Sequence, residues 1–420
     1  MTDRARVVLP RVRRRRPVSR RGKLLAALAV LGPGVLAGLS DDDPAGITTY
    51  SVLGTDYGYR LLWVLLLSTL ALMLFHDLGS RMGVVTGQGL IGLIRHRYGV
   101  RVASAALMAL VVANVGTAAA EFAGIAAGSE LLGVSRYVSV PVAAVTVTAL
   151  VLVGSFHRVE HVLLALAAVF VAYVAAGLMA HPDWGAAAQG LFVPHLGFSR
   201  AETLLVAATV GTTLAPWGLS FIQSYAVDKK LTVADLRYER VDVLTGAMLT
   251  GVIGFFVVVA CAETLHAQGR HIESASDAAR ALTPVAGGLA GTLFAVGLIG
   301  AALLAAAILP LSTAYSVCDM TGSQAALDSS FTEAPLFYVS DILVTSAAVV
   351  LVLLPNVPLV TLLVSTQTLN AILLVPLLVA MHLLSRDHEV MGEHVSKRLT
   401  SAAQLLVLLG VTGCVLLLLV

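Results

Sequence analysis

Apolar stretches long enough to cross a lipid bilayer recur along almost the whole chain, and this feature constrains the fold most. A helix needs about 20 mostly apolar residues to cross the hydrocarbon core. Charged residues make up 12% of the 420 residues, whereas a soluble domain carries about 25%. The sequence therefore predicts an all-α polytopic membrane protein with eleven transmembrane helices, at roughly 24–54, 59–80, 102–128, 137–155, 159–180, 201–226, 242–267, 285–318, 336–355, 357–385 and 400–420.

Lys and Arg are distributed unevenly between the two sides of this predicted bundle. If the amino terminus is inside, 22 of the 27 Lys and Arg residues lie in inside segments and five in outside loops. Cytoplasmic loops carry such an excess. We therefore expect a multi-pass protein of the cell (inner) membrane, with a cytoplasmic amino terminus and an extracellular carboxyl terminus.

The basic stretch "RVRRRRPVSRRGK" precedes the first span. It is expected to be a disordered cytoplasmic tail held to anionic lipid. No nucleic-acid partner is expected for so short a tail beside a membrane. A twin-arginine export signal is rejected because cleavage would detach the tail from the rest of span one, with ten spans still to follow. The three cysteines lack metal-ligand spacing, which disfavours thiolate metal chemistry and a disulfide framework.

Two of the predicted spans are interrupted. Residues 32–46, "GPGVLAGLSDDDPAG", place three carboxylates beside Pro44, and in residues 210–224, "VGTTLAPWGLSFIQS", Pro216 and Gly218 break an apolar run. Proline removes a helical hydrogen bond, and carbonyls freed at membrane depth survive where they line a cavity. A kink that only shapes packing is the alternative, which the carboxylates at the first break disfavour because intramembrane charge is costly.

The spacing of the two breaks predicts an inverted repeat. Five spans separate the two interrupted helices, and an odd number of spans inverts the second unit, which gives a LeuT-like five-plus-five arrangement with broken helices one and six. The predicted organisation is a basic tail, a first repeat, an extracellular loop, a second repeat, and a cytoplasmic loop with the last span, at residues 1–23, 24–180, 181–200, 201–385 and 386–420.

Several motifs resemble the Nramp divalent-metal transporters. "GPGVLAGLSDDDPAGITTYSVLGTDYGYRLLWVLLLS" is similar to the family's first two spans, with their GPG, DPGN and GY-x-LLW motifs. "RMGVVTGQGLIGLIRHRYG" resembles the segment after span two, and "GTTLAPWGLSFIQS" the sixth-span break, usually MPHN. The likeness extends through at least ten spans, with motif-level identity in spans one, two, three, six and ten.

The departures from the family pattern lie at the expected metal site. The signature Asp corresponds to Asp43 and its Pro to Pro44, but the metal-binding Asn corresponds to Gly46. The sixth-span Met, a thioether ligand, corresponds to Ala215, and the following His to Trp217.

Further departures affect the residues that carry protons in the family. Of two third-span carboxylates three residues apart, the second is kept as Glu121, whereas the first is Ala118. The ninth-span arginines are missing from "LFYVSDILVTSAAVVLVLL". In span ten, Asn370 or Gln367 matches the family's metal-facing amide, with a register uncertain by one residue. The resemblance implies a metal-binding set that comprises Asp43, Gly46, Thr212 (through its carbonyl), Ala215, Glu121, Asn370 and Asp42.

This pattern resembles the Nramp-related magnesium transporters. Loss of a thioether removes a preference for softer transition metals, and Mg²⁺ favours a roomy oxygen site because it dehydrates reluctantly. The transported ion is thus expected to be Mg²⁺ or Mn²⁺, taken up by alternating access without proton coupling. No resident cofactor is expected; the expected partners are the divalent cation and the lipid bilayer, and the expected state is a monomer.

Other intramembrane polar residues allow two interpretations each. Asn114 is expected to make an interhelical hydrogen bond rather than to bind metal. Glu263 either lines an outer vestibule or reaches water at the interface. His76 and Asp77 are expected at the membrane interface, with a proton relay that also uses Asp341 as the alternative.

Trp217 is either a gate or a space-filling side chain. Its position at the sixth-span break favours the first interpretation, and the smaller residues beside it favour the second equally.

Alternative functions remain open from the residues. A proton-coupled Mn²⁺/Fe²⁺ symporter is the first, disfavoured by Ala215 and Gly46. A sodium-coupled organic-solute transporter of LeuT fold is the second, disfavoured because three Asp would repel a carboxylate substrate. A membrane receptor would need an output domain. An enzyme is not expected, since the sequence shows no nucleophile–base pair and no phosphate-binding loop.

Overall fold

The computed structural model describes residues 42–152, 171–195, 197, 199–272, 275–283, 287–323, 325 and 330–418. Among these residues there are helices, turns and loops but no β-strand. The α-helices of the described residues are α1 (Pro44–Tyr57), α2 (Leu62–Thr86), α3 (Leu90–Tyr98), α4 (Val100–Leu131), α5 (Arg136–Leu152), α6 (Val171–Met179), α7 (Trp184–Phe192), α8 (Arg200–Thr213), α9 (Pro216–Asp228), α10 (Leu236–Thr264), α11 (Ala275–Ala279), α12 (Ala290–Thr321), α13 (Pro335–Leu353), α14 (Leu359–Ser385), α15 (His388–Met391) and α16 (Arg398–Leu417). Short 3₁₀ turns lie at His266–Gln268, Arg280–Leu282, Gly287–Leu289 and Gly392–His394.

Every predicted span contains one of these helices. In the described part of the chain, eight stretches are long and apolar enough to cross a membrane. The other three spans are represented by the shorter helices α1, α5 and α6, and residues 24–41 and 159–170 of the first and fifth spans lie outside the described residues, as does the basic tail. The predicted all-α membrane fold is confirmed.

The first described helix begins where the sequence predicted an interruption. Asp43 is the N-cap of α1, with φ −72° and ψ 170°, and its side chain accepts a hydrogen bond from the Gly46 amide. Pro44 occupies the first helical position, where its missing N–H costs nothing because that group has no helical acceptor. The sequence SDDDPAG therefore starts a helix with a carboxylate at its amino end.

The sixth predicted span is divided into α8 and α9. Leu214 leaves the helical region with φ −108° and ψ 52°, and Ala215 is the N-cap of α9, which begins at Pro216. The prediction that Gly218 also interrupts this span was wrong, because Gly218 lies in the first turn of α9 and its amide donates to the Ala215 carbonyl at 3.1 Å. The interruption covers only two residues.

The interrupted span six lies at the centre of the bundle, and the last span lies at its edge. In the segment Arg200–Asp228, 94% of the most apolar window is buried, against 17% for α16. Helices α1, α4, α10, α12 and α14 pack in the same interior, where α4 and α12 contribute many alanines. Small side chains let helix backbones approach closely in membranes, so the interruptions lie where several backbones converge.

The loop predicted at 181–200 contains a helix. Asp183 caps α7 by accepting from the amides of Gly185 and Ala186 at 2.9 and 3.0 Å. Gly190 of α7 packs against the backbone of Tyr59, and a Cβ at Gly190 would overlap that backbone. The loop is therefore fixed across one end of α1 and α2.

Candidate functional site

Helix α1 contacts α8, whose end forms the break in span six, inside the bundle. The hydroxyl of Tyr50 on α1 lies 2.9 Å from the hydroxyl of Thr213, which is the last residue of α8, and both residues are buried. Thr213 also donates to the Thr209 carbonyl within α8 at 2.8 Å. This contact joins the middle of α1 to the residue of α8 that directly precedes the break.

Asp43 is the charged residue of the first interruption. Its side chain is 4% exposed, and one carboxylate oxygen accepts from the Gly46 amide at 2.5 Å. Gly46 thus contributes a backbone donor that orients the carboxylate, a role that does not need the amide side chain of the Nramp motif. One carboxylate oxygen of Asp43 is thus occupied by the helix cap.

Glu121 lies beside Asp43. It is fully buried on α4, close enough to the Asp43 carboxyl for the two groups to interact electrostatically, and neither of its carboxyl oxygens has a hydrogen-bond partner in the described part of the chain. Gly124, one turn further along α4, contacts the Pro44 ring so closely that a Cβ there would overlap it. This glycine allows α1 to dock on α4 and brings the two carboxyls together.

The second interruption offers uncharged oxygens. Pro216 has no N–H and cannot donate to the carbonyl of Thr212, four residues earlier, so this carbonyl has lost its helical partner. The Thr212 hydroxyl is also buried and has no hydrogen-bond partner among the residues that the structure describes. Ala215 presents a methyl group, is 4% exposed and makes no side-chain cap. This break therefore offers the carbonyl and the hydroxyl of Thr212 as candidate cation ligands.

A side-chain amide network borders the site on α14. The Asn370 side-chain amide donates to the Thr117 hydroxyl and to the side-chain oxygen Oε1 of Gln367, both at 2.8 Å. Thr117 is one turn from Glu121 on α4, and Gly211 of α8 packs against the Gln367 backbone. Asn370 therefore connects α14 to the carboxylate-bearing face of α4, and its amide is already hydrogen-bonded.

Asp42 is buried at 1% exposure beside the N-cap. Within the described ranges no group of three or more His, Cys, Asp and Glu side chains is arranged to hold a metal. Asp42 therefore does not complete a three-carboxylate cluster with Asp43 and Glu121. The site consists of two carboxyls surrounded by uncharged oxygen atoms.

Other polar residues singled out in the sequence lie elsewhere. Asn114 donates to the Thr313 hydroxyl at 2.8 Å, which confirms the predicted interhelical hydrogen bond. Asp77 pairs with Arg240 at 3.0 Å, away from the two interruptions along α2. His76 is buried.

Three more residues singled out in the sequence are Asp341, Glu263 and Trp217. Asp341 is buried on α13. Glu263 accepts a hydrogen bond from the Tyr59 hydroxyl near the end of α10, which places it with the loop contacts rather than with Asp43. Trp217 is 1% exposed and packs against Phe221, with ring centroids 6.3 Å apart.

Sequence reasoning missed three members of this arrangement. Tyr50, Thr213 and Thr117 are common residues within apolar helices, and no spacing motif marks them. Thr117 has one local signal, since it precedes Glu121 by four residues and must share its helix face. The Tyr50–Thr213 contact joins residues 163 positions apart, which no local pattern shows.

Comparison with known proteins identifies the family. A family model described as "Nramp: Natural resistance-associated macrophage protein-like" matches residues 34–420. The chain belongs to the Nramp family. One relative, "Divalent metal cation transporter MntH" of Burkholderia ambifaria, is 30% identical over 311 residues, which cover 71% of this chain and 70% of the relative. The protein of the same name from Granulibacter bethesdensis is 28% identical over 396 residues, covering 91% and 86%.

Solved structures share the fold of this Nramp protein. The crystal structure of the Eremococcus coleocola manganese transporter with an aromatic bis-isothiourea compound matches at a TM-score of 0.75 and 19% identity, covering 94% of this chain and 86% of that one. A nucleobase-cation-symport-1 family transporter with bound bromovinylhydantoin matches at 0.54 and 16%, covering 92% and 91%. Because one fold serves both, the substrate must be argued from the site.

Proposed function

We propose that this Nramp protein carries divalent metal cations across the membrane, Mg²⁺ first and Mn²⁺ second, through a site between its two interrupted helices. One observation carries the proposal: the buried carboxyls of Asp43 and Glu121 lie side by side at the first break. Two adjacent carboxylates repel each other, and a divalent cation between them relieves this repulsion. The names of the MntH relatives agree with a divalent cation as the substrate.

The preference for Mg²⁺ is inferred from the second break. Ala215 supplies no thioether, and Gly46 supplies no side-chain amide, so the ligands on offer are carboxylate, carbonyl, hydroxyl and water oxygens. Hard oxygen ligands suit Mg²⁺, whereas sulfur favours softer metals. Mg²⁺ also keeps several of its waters, and the small side chains at 46 and 215 leave room for them.

The absence of proton coupling is inferred from the neighbours of the site. A proton relay needs titratable groups that lead away from the cation. Ala118 and Trp217 occupy two positions where Nramp proteins resembling this one carry a carboxylate and a histidine, and α13 contains no arginine. Entry of a divalent cation would then be driven by the membrane potential, which contributes about 2.3 kcal/mol per charge per 100 mV.

Alternating access follows from how the helices are divided. Half-helices on either side of an interruption can tilt separately, because no continuous backbone hydrogen-bond ladder joins them. Helix α1 is connected to α8 by the Tyr50–Thr213 contact and to α4 by the Gly124–Pro44 contact. We propose a monomeric transporter with the amino terminus in the cytoplasm.

A second candidate is a proton-coupled Mn²⁺ symporter. Two names favour this candidate. A relative of this chain is named a divalent metal cation transporter, and the matching crystal structure is named a manganese transporter. In this alternative Glu121 exchanges the proton and the lost thioether is replaced by water. The two candidates differ in ion preference and in proton flux.

Proteoliposomes separate these functions in one experiment. Influx of Mg²⁺, Mn²⁺ and alanine is measured in parallel, at a fixed membrane potential, with a pH-sensitive dye inside the vesicles. We expect Mg²⁺ influx above Mn²⁺ influx, no alanine uptake and no acidification beyond that of empty vesicles. Mn²⁺ influx with stoichiometric acidification would establish the symporter instead, and alanine uptake would establish an organic-solute carrier.

A further inference from the structure

A basic cavity lies at one end of the bundle, at the junction of α14 and α16. It has a volume of about 400 Å³ and is lined by Arg386 and Arg398 together with His388, Ser396 and the apolar residues Ala402 and Leu405, among others. Because α14 ends at Ser385 and α16 begins at Arg398, the cavity lies where two membrane-length helices leave the bilayer. It is separate from the site between the interrupted helices.

The two arginines of this cavity carry unbalanced positive charge. The side chains of Arg386 and Arg398 form no ion pair or hydrogen bond with a described residue, and no acidic side chain is among the described residues that line the cavity. Asp387 and Glu389, the acids nearest to Arg386 in sequence, both pair with Arg97, at 2.5 and 2.6 Å, and Glu393, the acid nearest to Arg398, is not among the described residues that line the cavity. The charge of these two side chains therefore suits an anionic ligand.

The wall of the cavity is held in place by buried polar contacts. The Ser396 amide donates to the Ser385 carbonyl at 2.8 Å, and Gln404 donates to the Ser396 hydroxyl at 3.2 Å. Gln404, in turn, accepts from the Ser385 hydroxyl at 3.0 Å, and Arg81 donates to Ser396 at 2.9 Å. The loop between α14 and α16 is thus fixed before any ligand binds, which lowers the entropic cost of binding.

The surroundings of the cavity are those of a lipid rather than of a free anion. Leu399 and Leu406 of α16 are 85% and 73% exposed, and large exposed apolar surface on a membrane helix faces acyl chains. Leu405 and Ala402 continue this surface into the cavity. A ligand with a phosphate at one end and hydrocarbon at the other matches both parts.

We propose that this cavity binds the headgroup phosphate of an anionic phospholipid in the leaflet at this end of the bundle. Arg386 and Arg398 contact the phosphate, and the leucines of α16 contact the acyl chains. Basic cavities beside transmembrane helices are suited to such headgroups, and guanidinium groups match phosphate oxygens in a forked geometry. The lipid would attach the peripheral helix α16 to the bundle.

The test is binding of phosphatidylglycerol to the purified protein, measured by native mass spectrometry and by the shift of the thermal unfolding temperature. The variant Arg386→Gln/Arg398→Gln is compared with Arg101→Gln/Arg237→Gln, in which two exposed arginines outside the cavity lose the same charge. We expect the cavity variant to bind phosphatidylglycerol about tenfold more weakly than the parent, and the control variant to bind like the parent.

Three outcomes would overturn the proposal. Equal loss of binding in both variants would mean that overall charge attracts the lipid. Equal binding of phosphatidylglycerol and phosphatidylcholine would exclude recognition of an anion. Stabilisation by inorganic phosphate to the same extent as by phosphatidylglycerol would assign the cavity to a free anion. If the cavity variant unfolds, Arg386→Lys/Arg398→Lys replaces it, and retained but weakened binding is expected. The readouts do not depend on ion transport.

Discussion

Helices α1 and α9 both begin at a proline, yet the residues at these two helix starts differ in charge. At the first break Asp43 caps α1 and offers a carboxylate, with Glu121 beside it. At the second, Ala215 makes no side-chain cap, and the candidate ligands are the carbonyl and hydroxyl of Thr212. The same backbone device therefore presents a charged half-site on one side and a neutral half-site on the other.

This difference suggests a division of roles. The charged half-site provides the electrostatic attraction that any divalent cation needs in a buried position, because hydration must be replaced by nearby negative charge. The neutral half-site decides which cation fits, since its ligand atoms and its free volume differ between hard and soft metals. Substitutions at the two breaks should then have different consequences: loss of transport at the first and changed selectivity at the second.

The largest effect is expected from Asp43. Asparagine keeps the N-cap hydrogen bond but removes the charge, whereas alanine removes both. Both Asp43→Asn and Asp43→Ala should lower Mg²⁺ influx into proteoliposomes by at least about thirtyfold, as for loss of one partner of a buried charge pair. Only Asp43→Ala should also lower thermal stability. Transport by Asp43→Asn at the level of the parent would show that Asp43 acts only as a helix cap.

The next largest effect is expected from Glu121. Glu121→Gln keeps the shape and removes the second carboxylate, so Mg²⁺ influx should fall roughly tenfold, or about 1.4 kcal/mol. Glu130→Gln is the matched control on the same helix, because Glu130 pairs with Arg136 at 2.6 Å at its exposed end. Equal losses in both variants would assign the effect to the stability of α4 rather than to the site.

A moderate effect is expected from Pro216. Pro216→Ala restores an amide that can donate to the Thr212 carbonyl, which would then be a weaker cation ligand. Mg²⁺ influx should fall about fivefold, equivalent to the net value of one hydrogen bond. Pro376→Ala, in an exposed position of α14, should leave influx unchanged. A similar decrease in both variants would indicate a general effect of proline on helix packing.

The smallest effect is expected from Asn114. Its substitution distinguishes a residue of the site from a residue that only supports helix packing. Asn114→Ala removes the hydrogen bond to Thr313 and should lower the free energy of unfolding by about 0.6 kcal/mol, the average for such bonds in membranes. Mg²⁺ influx should stay within about twofold of the parent. Thermal unfolding in detergent and influx on the same preparation provide the two readouts. A tenfold loss of influx would place Asn114 in the ion path.

The fold could be predicted further from the sequence than the site could. Apolar length and proline position located the spans, the start of α1 at Pro44 and the break before Pro216, because a helix in hydrocarbon must satisfy its backbone internally. The extent of the second interruption was predicted wrongly at Gly218, since glycine in a first helical turn is as compatible with a helix as with a break. Helix α7, at 184–192 in the predicted loop, was not predicted, because its sequence contains no long apolar run.

The site needed the three-dimensional arrangement. Asp43 and Pro44 stand out as charge and helix breaker in an apolar run, and Glu121 stands out as an intramembrane carboxylate. Their proximity depends on Gly124, whose role is visible only once Pro44 packs on it. Likewise, the hydrogen bonds of Asn370 to Thr117 and Gln367 could not be chosen from sequence, because either amide of span ten fitted the family pattern.

The central claim, that the uncharged second break selects the ion, is tested most directly by the ratio of Mg²⁺ to Mn²⁺ influx. The ratio is measured for the parent and for Ala215→Met, using both ions on one preparation so that partial misfolding affects them equally. We expect the ratio to shift toward Mn²⁺ by about tenfold, because a thioether favours softer metals. An unchanged ratio in a variant that still transports would contradict the account.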